Sequence, residues 1–242
     1  PAPVGASRMA RPVVVPSLDP GAPLASGAPR SFLRNFLISL RPSQWTKNLV
    51  VFAGLMFGRQ LLNLEALTAT LAAFVVFCAL SGAVYLVNDV ADRESDRLHP
   101  KKRFRPIASG ALGVGPALGA AGALAVGGLG VAWAIGRSFT WVALAYLVLL
   151  TLYSGPLKRI VILDVLTIAI GFVLRAAAGA VAIGVPISHW LLVCTILLAL
   201  FLALAKRRQE LTLLAEGAAN HRAILSEYSP ALLDQMIAIV TA

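Results

Sequence analysis

The sequence has 242 residues, of which 58% are hydrophobic and 13% are charged, and its net charge is +10; its mean hydropathy is +0.81. A water-soluble domain of this size could not bury so much apolar surface, and several runs reach the ~20 apolar residues that a helix needs to cross a bilayer. The composition therefore excludes a soluble globular protein and predicts an all-α fold, a polytopic transmembrane helical bundle.

The N-terminal segment differs in composition from the rest of the chain. Residues 1–30 are rich in Pro, Ala, Gly and Ser and show no apolar periodicity. This composition predicts a disordered tail. The remaining residues, 31–242, are predicted to form the transmembrane domain.

Apolar segments bounded by charged residues or by Gly and Pro follow the tail. They are predicted to span the membrane at 46–63, 66–88, 111–135, 139–156, 160–183 and 187–205. A further apolar segment begins near residue 232 and is too short to cross by residue 242. We therefore expect that the C-terminal helices of the bundle lie beyond this sequence.

Lysines and arginines are distributed unevenly between the connections. The tail and the second, fourth and sixth connections carry nearly all of them, whereas the other connections hold only Arg59 and Arg137. By the positive-inside rule, the N-terminus and the basic connections are predicted to be cytoplasmic, in a multi-pass protein of the inner (plasma) membrane. Because topology accounts for the positive charge, no nucleic-acid partner is expected.

Acidic residues cluster in NDVADRESD, at the end of the second predicted span. On a helix, Asn88, Asp89, Asp92 and Asp96 share one face, and the first two aspartates lie ~5 Å apart along the axis. Carboxylates so close repel one another, whereas Mg²⁺ is held by one or two carboxylates together with substrate phosphates. The spacing favours a magnesium site made by these four residues. A solvated helix end with local ion pairs is the alternative.

Cations follow the acidic cluster in KKRFRPIASG. Lys101, Arg103 and Arg105 are predicted to bind phosphate oxygens, which arginine can contact in a bidentate manner. Anchoring of a cytoplasmic connection explains the same residues, and both roles can hold together.

The acidic and basic stretches together resemble the first aspartate-rich motif, NDxxDxxxD, of the UbiA superfamily of intramembrane prenyltransferases. Other stretches that resemble this family are RPSQWTKN (41–48), YSGPLKRIVILD (153–164), GFVLRAAAGA (171–180) and LALAKRRQEL (202–211). The resemblance covers most of 40–230 and implies the helical bundle of the family. It also implies that Asn88, Asp89, Asp92 and Asp96 hold Mg²⁺ and a diphosphate.

The sixth connection departs from the pattern of prenyl-transferring members, which carry a second aspartate-rich motif there. It reads KRRQELTLLAEGAANHR, without aspartate, so that Glu210 and Glu216 stand among cations that include Lys206 and Arg207. One acidic cluster facing several cations suits a donor and an acceptor with additional phosphate groups. The later stretches also most resemble a branch of the family that uses phosphoribosyl pyrophosphate.

We therefore favour a Mg²⁺-dependent enzyme that transfers 5-phosphoribosyl from phosphoribosyl pyrophosphate to a polyprenyl (decaprenyl-type) phosphate. The resemblance implies that the product is a lipid-linked precursor of cell-wall arabinan. A prenyltransferase that uses a prenyl diphosphate and an aromatic or other small acceptor is the alternative. A transporter is less favoured, because transporter ion sites lie near the membrane midplane.

Polar residues in the other motifs complete the hypothesis. Lys158 is predicted to meet a phosphate as a point charge, although snorkelling explains it equally well, and Asp164 to orient a cation or a ribose hydroxyl. Arg175 lies ~16 Å deeper, where a charge costs ~2.5–3.5 kcal/mol, so it should face the bundle interior and hold a substrate phosphate or an internal acid. The predicted catalytic residues are Asp89, Asp92, Asp96, Lys158 and Arg175. The predicted substrate-binding residues are Gln44, Lys47, Asn48, Asn88, Lys101, Arg103, Arg105, Tyr153, Asp164, Lys206, Arg207 and Glu210.

Small and cyclic residues give predictions about packing. Pro42 is predicted to start or kink a helix. Gly171 and Gly179 flank Arg175 and should admit a neighbouring helix or a lipid chain, and Gly115 and Gly119 should mediate helix packing in the third span.

Overall fold

The computed structural model describes residues 31–215 and 228–242, and within these ranges the chain is helical without a β-strand. The predicted disordered tail over 1–30 lies outside the described residues. The α-helices are α1 Phe32–Ser39, α2 Ala53–Phe57, α3 Leu64–Ala91, α4 Arg93–Leu98, α5 Val114–Ile135, α6 Arg137–Ser154, α7 Leu163–Ala182, α8 His189–Ala215 and α9 Pro230–Thr241. The 3₁₀ segments are Pro42–Phe52, Lys102–Phe104 and Leu157–Arg159.

Five helices in the described ranges, α3, α5, α6, α7 and α8, are long and apolar enough to cross a membrane. They correspond to the second through sixth predicted spans, and the predicted all-α, polytopic bundle is confirmed. The short helix α9 covers the apolar segment predicted near residue 232.

The first predicted span, 46–63, is wrong as a single membrane-crossing helix. This region consists of the 3₁₀ segment Pro42–Phe52, the short helix α2 and a connection that leads to the N-cap of α3. Pro42 is the first residue of the 3₁₀ segment, as the prediction of a helix start requires. The apolar composition predicted a helix here but not its 3₁₀ type.

Backbone contact with α7 explains the irregular conformation of this region. A Cβ atom on Gly179 of α7 would lie 1.7 Å from the carbonyl oxygen of Val51, and one on Gly54 would lie 2.6 Å from the backbone nitrogen of Ala180. The two backbones touch, so tertiary packing rather than local propensity determines the path of residues 42–57. The predicted close approach at Gly179 is confirmed.

The prediction of helix packing at Gly115 and Gly119 is wrong. Among the described atoms, none lies within 4 Å of a Cβ atom built on either residue. Helix α5 instead approaches α3 at Gly128, where a Cβ atom would lie 3.1 Å from the Leu80 side chain. Near Arg175, Gly171 admits the side chain of Leu150 from α6, 3.3 Å from its Cβ position.

Two apolar clusters position the polar residues at the end of α3. In the bundle, Phe77 of α3 packs against Phe139 and Tyr146 of α6, with ring centroids 6.1 Å and 4.9 Å away. Closer to the end of α3, Leu86 is buried with Ile107 of the following connection. The second cluster holds the connection between α4 and α5 against α3, and so positions Arg105, which lies two residues before Ile107.

Helix α1 buries polar side chains and exposes apolar ones. Asn35 and Ser39 are buried, whereas Phe32 and Leu33 are more than half exposed. The Asn35 amide donates a hydrogen bond to the Ala111 carbonyl oxygen at 3.3 Å, which ties α1 to the connection before α5. The polar face of α1 therefore packs on protein and its apolar face points outward.

Candidate functional site

The aspartate cluster, defined here as Asp89, Asp92 and Asp96, lies where α3 passes into α4. The Asp92 N–H donates to the Asn88 carbonyl oxygen at 2.9 Å, and the Asp96 N–H donates to the Asp92 carbonyl oxygen at 2.8 Å. Helical hydrogen bonding thus continues through the junction and carries Asp89 and Asp96 on one side. Both of these side chains are 3% exposed, so their charges need partners.

Arg105 joins the two buried carboxylates. Its Nη1 atom lies 3.1 Å from Asp89 Oδ1 and 2.6 Å from Asp96 Oδ2. Arg41, which follows α1 with a φ of 52°, also forms an ion pair with Asp89, and its guanidinium lies 4.9 Å from the ring centre of Tyr85. Two arginines from distant parts of the chain therefore neutralise Asp89.

Asp92 faces a different cation from the other two members of the cluster. Its backbone leaves the helical region, with φ −91° and ψ 4°, and its Oδ1 atom lies 2.6 Å from Lys158 Nζ. Asn88, the other predicted metal ligand, is half-buried in α3. The structure thus unites Asp89 with Asp96 and places Asp92 against the connection between α6 and α7.

Asp89 and Asp96 are the two carboxylates of the cluster that could share a divalent cation. Within the described residues, no three His, Cys, Asp or Glu side chains are grouped so that they could hold a metal ion. However, oxygens of both carboxylates converge on one positively charged nitrogen of Arg105. Mg²⁺ needs only one or two protein carboxylates when substrate phosphates and water complete its coordination.

Arg175 lies deeper in the bundle and is 5% exposed. It donates hydrogen bonds to Asn48 Oδ1 at 2.8 Å, to Tyr146 Oη at 2.7 Å and to the Gly171 carbonyl oxygen at 2.8 Å. The predicted interior position with partners is therefore correct. The partners are neutral oxygens rather than the internal acid that was one alternative.

Asp164 has both carboxylate oxygens occupied and is fully buried. Arg207 Nε donates to Oδ2 at 2.8 Å, and the Tyr228 hydroxyl donates to Oδ1 at 2.6 Å. Arg207 also contacts Glu210 at 2.6 Å. Burial and the carboxylate of Asp164 raise the pKa of Tyr228, so its hydroxyl remains protonated at neutral pH. This network connects α7, α8 and the segment that leads into α9.

The remaining predicted residues occupy more open positions. Gln44 and Tyr153 are half-buried, and Lys101, Arg103 and Lys206 are exposed. Lys206 lies 3.9 Å from Glu210. The guanidinium of Arg103 lies over the Phe104 ring, 4.8 Å from its centre, and not on the aspartate cluster.

Lys47 lies within electrostatic range of other cations. Desolvation of its ammonium group lowers its pKa most, and the positive charges of Lys206, Arg175 and Arg41 lower it further. Positive charge is therefore concentrated around Lys47. Such a region favours an anion with several negative charges.

Several functional candidates were missed by the sequence reasoning. Arg41 was counted only as a topological charge, and Lys102, which lies 3.9 Å from Asp96, was not selected. Tyr146, which orients Arg175, and Tyr228 were not considered. A spacing pattern could have included Lys102, which is six residues after Asp96, and Arg41 begins the family-like stretch RPSQWTKN. No local signal indicates Tyr146 or Tyr228.

Known proteins resemble this chain in sequence and in fold. Residues 48–210 match the model of the UbiA prenyltransferase family. The chain is 36% identical over 212 residues to decaprenyl-phosphate phosphoribosyltransferase of Mycolicibacterium smegmatis, covering 86% of this chain and 67% of the relative. It is 40% identical over 215 residues to the protein of the same name from Corynebacterium glutamicum, covering 85% and 63%. It therefore spans about two thirds of the length of these relatives.

The fold is also similar to a solved structure. A UbiA homolog from Archaeoglobus fulgidus, bound to GPP and Mg²⁺, superposes with a TM-score of 0.62 at 21% identity. The match covers 86% of this chain and 84% of that protein.

Proposed function

This chain belongs to the UbiA prenyltransferase family, and from that premise we propose that it is a Mg²⁺-dependent membrane transferase. The proposed reaction moves 5-phosphoribosyl from phosphoribosyl pyrophosphate to a polyprenyl phosphate of the decaprenyl type and releases pyrophosphate. The shared name of the relatives from M. smegmatis and C. glutamicum supports this substrate pair.

The proposal rests on Asp89 and Asp96, because oxygens of both carboxylates contact the same nitrogen atom of Arg105. In the proposed complex, these two residues hold Mg²⁺ together with Asp92 and Asn88. When bound, the ion supplies positive charge that stabilises the departing pyrophosphate. Arg105, released from the carboxylates, becomes available to bind phosphate oxygens.

The surplus of cations supports a donor that carries more phosphate than a prenyl diphosphate. Phosphoribosyl pyrophosphate has a 5-phosphate besides its diphosphate, and the acceptor brings one more phosphate. The positive charges of Arg41, Arg175 and Lys206 act on Lys47, and the sixth connection contains no aspartate that could hold a second metal ion. In this proposal Lys47, Lys101, Arg103 and Lys206 bind phosphate groups.

The acceptor phosphate is already an anion and needs no general base. The role of the protein is then to orient the acceptor toward C1 of the ribose and to keep the acceptor phosphate apart from the phosphates of the donor. Arg175, anchored by Asn48 and Tyr146, is proposed to hold a phosphate at the base of the site. We also propose that the site opens to the cytoplasm from the inner membrane, in accordance with the positive-inside rule.

Prenyl transfer to an aromatic or other small acceptor is the second candidate. The family name and the binding of GPP and Mg²⁺ by the structural neighbour favour it. Purified protein in liposomes with Mg²⁺ should be given labelled phosphoribosyl pyrophosphate with polyprenyl phosphate, or labelled prenyl diphosphate with aromatic acceptors. We expect label in the lipid fraction only with the first pair. Transfer only from prenyl diphosphate would refute the assignment of the donor.

A matched pair of variants tests the role of the carboxylates. Asp89→Asn removes the charge of a buried carboxylate held by Arg41 and Arg105, and we expect at least a ~100-fold loss of turnover with the fold retained. Glu94→Gln removes the charge of an exposed acid that contacts Arg97, and we expect near-normal turnover. Equal activity of the two variants would contradict the proposal.

A further inference from the structure

We propose that Tyr228 is a positioning residue that fixes the turn at Ile162 and thereby holds Lys158 at the aspartate cluster. This role depends on the proposed function only in that pyrophosphate is taken as a group bound at the site. Pyrophosphate is released from either candidate donor, so the role does not depend on which donor is used.

The Tyr228 hydroxyl makes two hydrogen bonds to the same short stretch of chain. It accepts from the Ile162 N–H at 2.8 Å and donates to Asp164 Oδ1 at 2.6 Å. The side chain is 4% exposed and packs with apolar residues of α7, α8 and α9. A phenolic oxygen has one hydrogen to donate, and here that hydrogen is directed at a carboxylate.

Ile162 has a backbone conformation that a β-branched residue rarely adopts. Its φ is 69° and its ψ is −45°. Such a conformation is energetically unfavourable and persists only when surrounding contacts impose it. The Tyr228 hydroxyl bonds directly to the N–H of this residue and is therefore one of the contacts that impose the turn.

The turn lies in the connection that carries Lys158. This connection runs between α6 and α7, and its 3₁₀ segment Leu157–Arg159 precedes Ile162. The connection has side-chain anchors near both of its ends: Lys158 contacts Asp92 at 2.6 Å, and Ile162 contacts Tyr228. Loss of the second anchor lets Ile162 relax to a negative φ, which redirects the chain four residues after Lys158.

The attachment of α8 and α9 does not depend on Tyr228 alone. Arg207 contacts the other oxygen of Asp164, and Arg208 forms an ion pair with Asp234 of α9 at 2.8 Å. Replacing the Tyr228 hydroxyl with hydrogen should therefore leave these helices packed. Its effect on Lys158 can then be separated from a general loss of structure.

The test uses Tyr228→Phe, with Asp234→Asn as the control that breaks the exposed ion pair between α8 and α9. Hydrogen exchange of a peptide containing residue 162 should become faster in Tyr228→Phe and remain unchanged in Asp234→Asn. The affinity for Mg²⁺-pyrophosphate should fall about tenfold in Tyr228→Phe, as expected for one charge-assisted hydrogen bond. Unchanged exchange or unchanged affinity in Tyr228→Phe would overturn the proposal.

A double-mutant cycle shows whether Tyr228 acts through Lys158. We expect Lys158→Ala to lower the affinity for Mg²⁺-pyrophosphate about tenfold. The double variant should bind Mg²⁺-pyrophosphate no more weakly than Lys158→Ala does. Additive losses, about a hundredfold in the double variant, would refute a role through Lys158. Because these measurements do not use a complete donor, an incorrect donor assignment would leave them interpretable.

Discussion

The replacement Arg105→Gln should increase the affinity of the free protein for divalent cations. In the present structure, Arg105 Nη1 occupies the position between Asp89 Oδ1, at 3.1 Å, and Asp96 Oδ2, at 2.6 Å. A metal ion must displace this guanidinium before it can bind both carboxylates. In the variant, that competition is absent and the local positive charge is lower.

The size of the effect follows from the charges involved. Opposite unit charges ~4 Å apart attract by ~4 kcal/mol at an effective dielectric constant of ~20. The desolvation of the arginine and the carboxylates offsets much of this attraction. We expect that Arg105 opposes cation binding by a net free energy of ~1.4 kcal/mol. Replacing Arg105 should therefore increase the cation affinity tenfold.

Titration with Mn²⁺ in the absence of donor measures this affinity, because Mn²⁺ accepts carboxylate ligands as Mg²⁺ does and gives an electron paramagnetic resonance signal when free. Arg159→Gln is the control, since it removes the same charge from an exposed residue next to Lys158. The control should bind Mn²⁺ with an affinity close to that of the unmodified protein. Unchanged or weaker binding by Arg105→Gln would show that the guanidinium does not occupy the cation position.

Two further substitutions test the interior. Arg175→Ala removes the guanidinium that donates to Asn48 and Tyr146, so it should lower turnover at least ~10-fold; an equal loss in Arg137→Ala, at the other end of the bundle, would make the role of Arg175 purely structural. Gly179→Ala puts a methyl group against a backbone carbonyl oxygen 1.7 Å away and should lower stability in thermal unfolding by ~3 kcal/mol or more. The same change at the open position Gly119 should leave stability nearly unchanged, and equal melting temperatures would show that α7 does not contact residues 42–57.

Local spacing predicted the part of the site that one stretch of helix determines. Asp89 and Asp96 are seven residues apart and lie on one side of the α3–α4 junction, where one arginine meets both. The same spacing predicted that Asp92 would join them in one metal site. Asp92 instead pairs with Lys158, at a residue whose φ of −91° and ψ of 4° depart from the helix, and side-chain spacing contains no information about that departure.

Partners that come from distant parts of the chain could not be predicted from one sequence. Arg41 and Asp89 are separated by 48 positions, and Tyr228 and Asp164 by 64. The interior position of Arg175 was predictable, because a charge in a bilayer is too costly to face lipid. Its partner Asn48, at a separation of 127 positions, was assigned to the site because it shares a helical face with Gln44 and Lys47, but spacing could not pair it with Arg175.

Helix α1 makes the surrounding lipid a structural component of this protein. Phe32 and Leu33 are exposed while Asn35 is buried, so one side of α1 offers apolar surface to the hydrocarbon of a bilayer or a micelle. Arg41, which forms an ion pair with Asp89, lies two residues after Ser39, the last residue of α1. We therefore expect a change of detergent or of bilayer thickness to alter the position of Arg41 and, through it, the ion pair with Asp89.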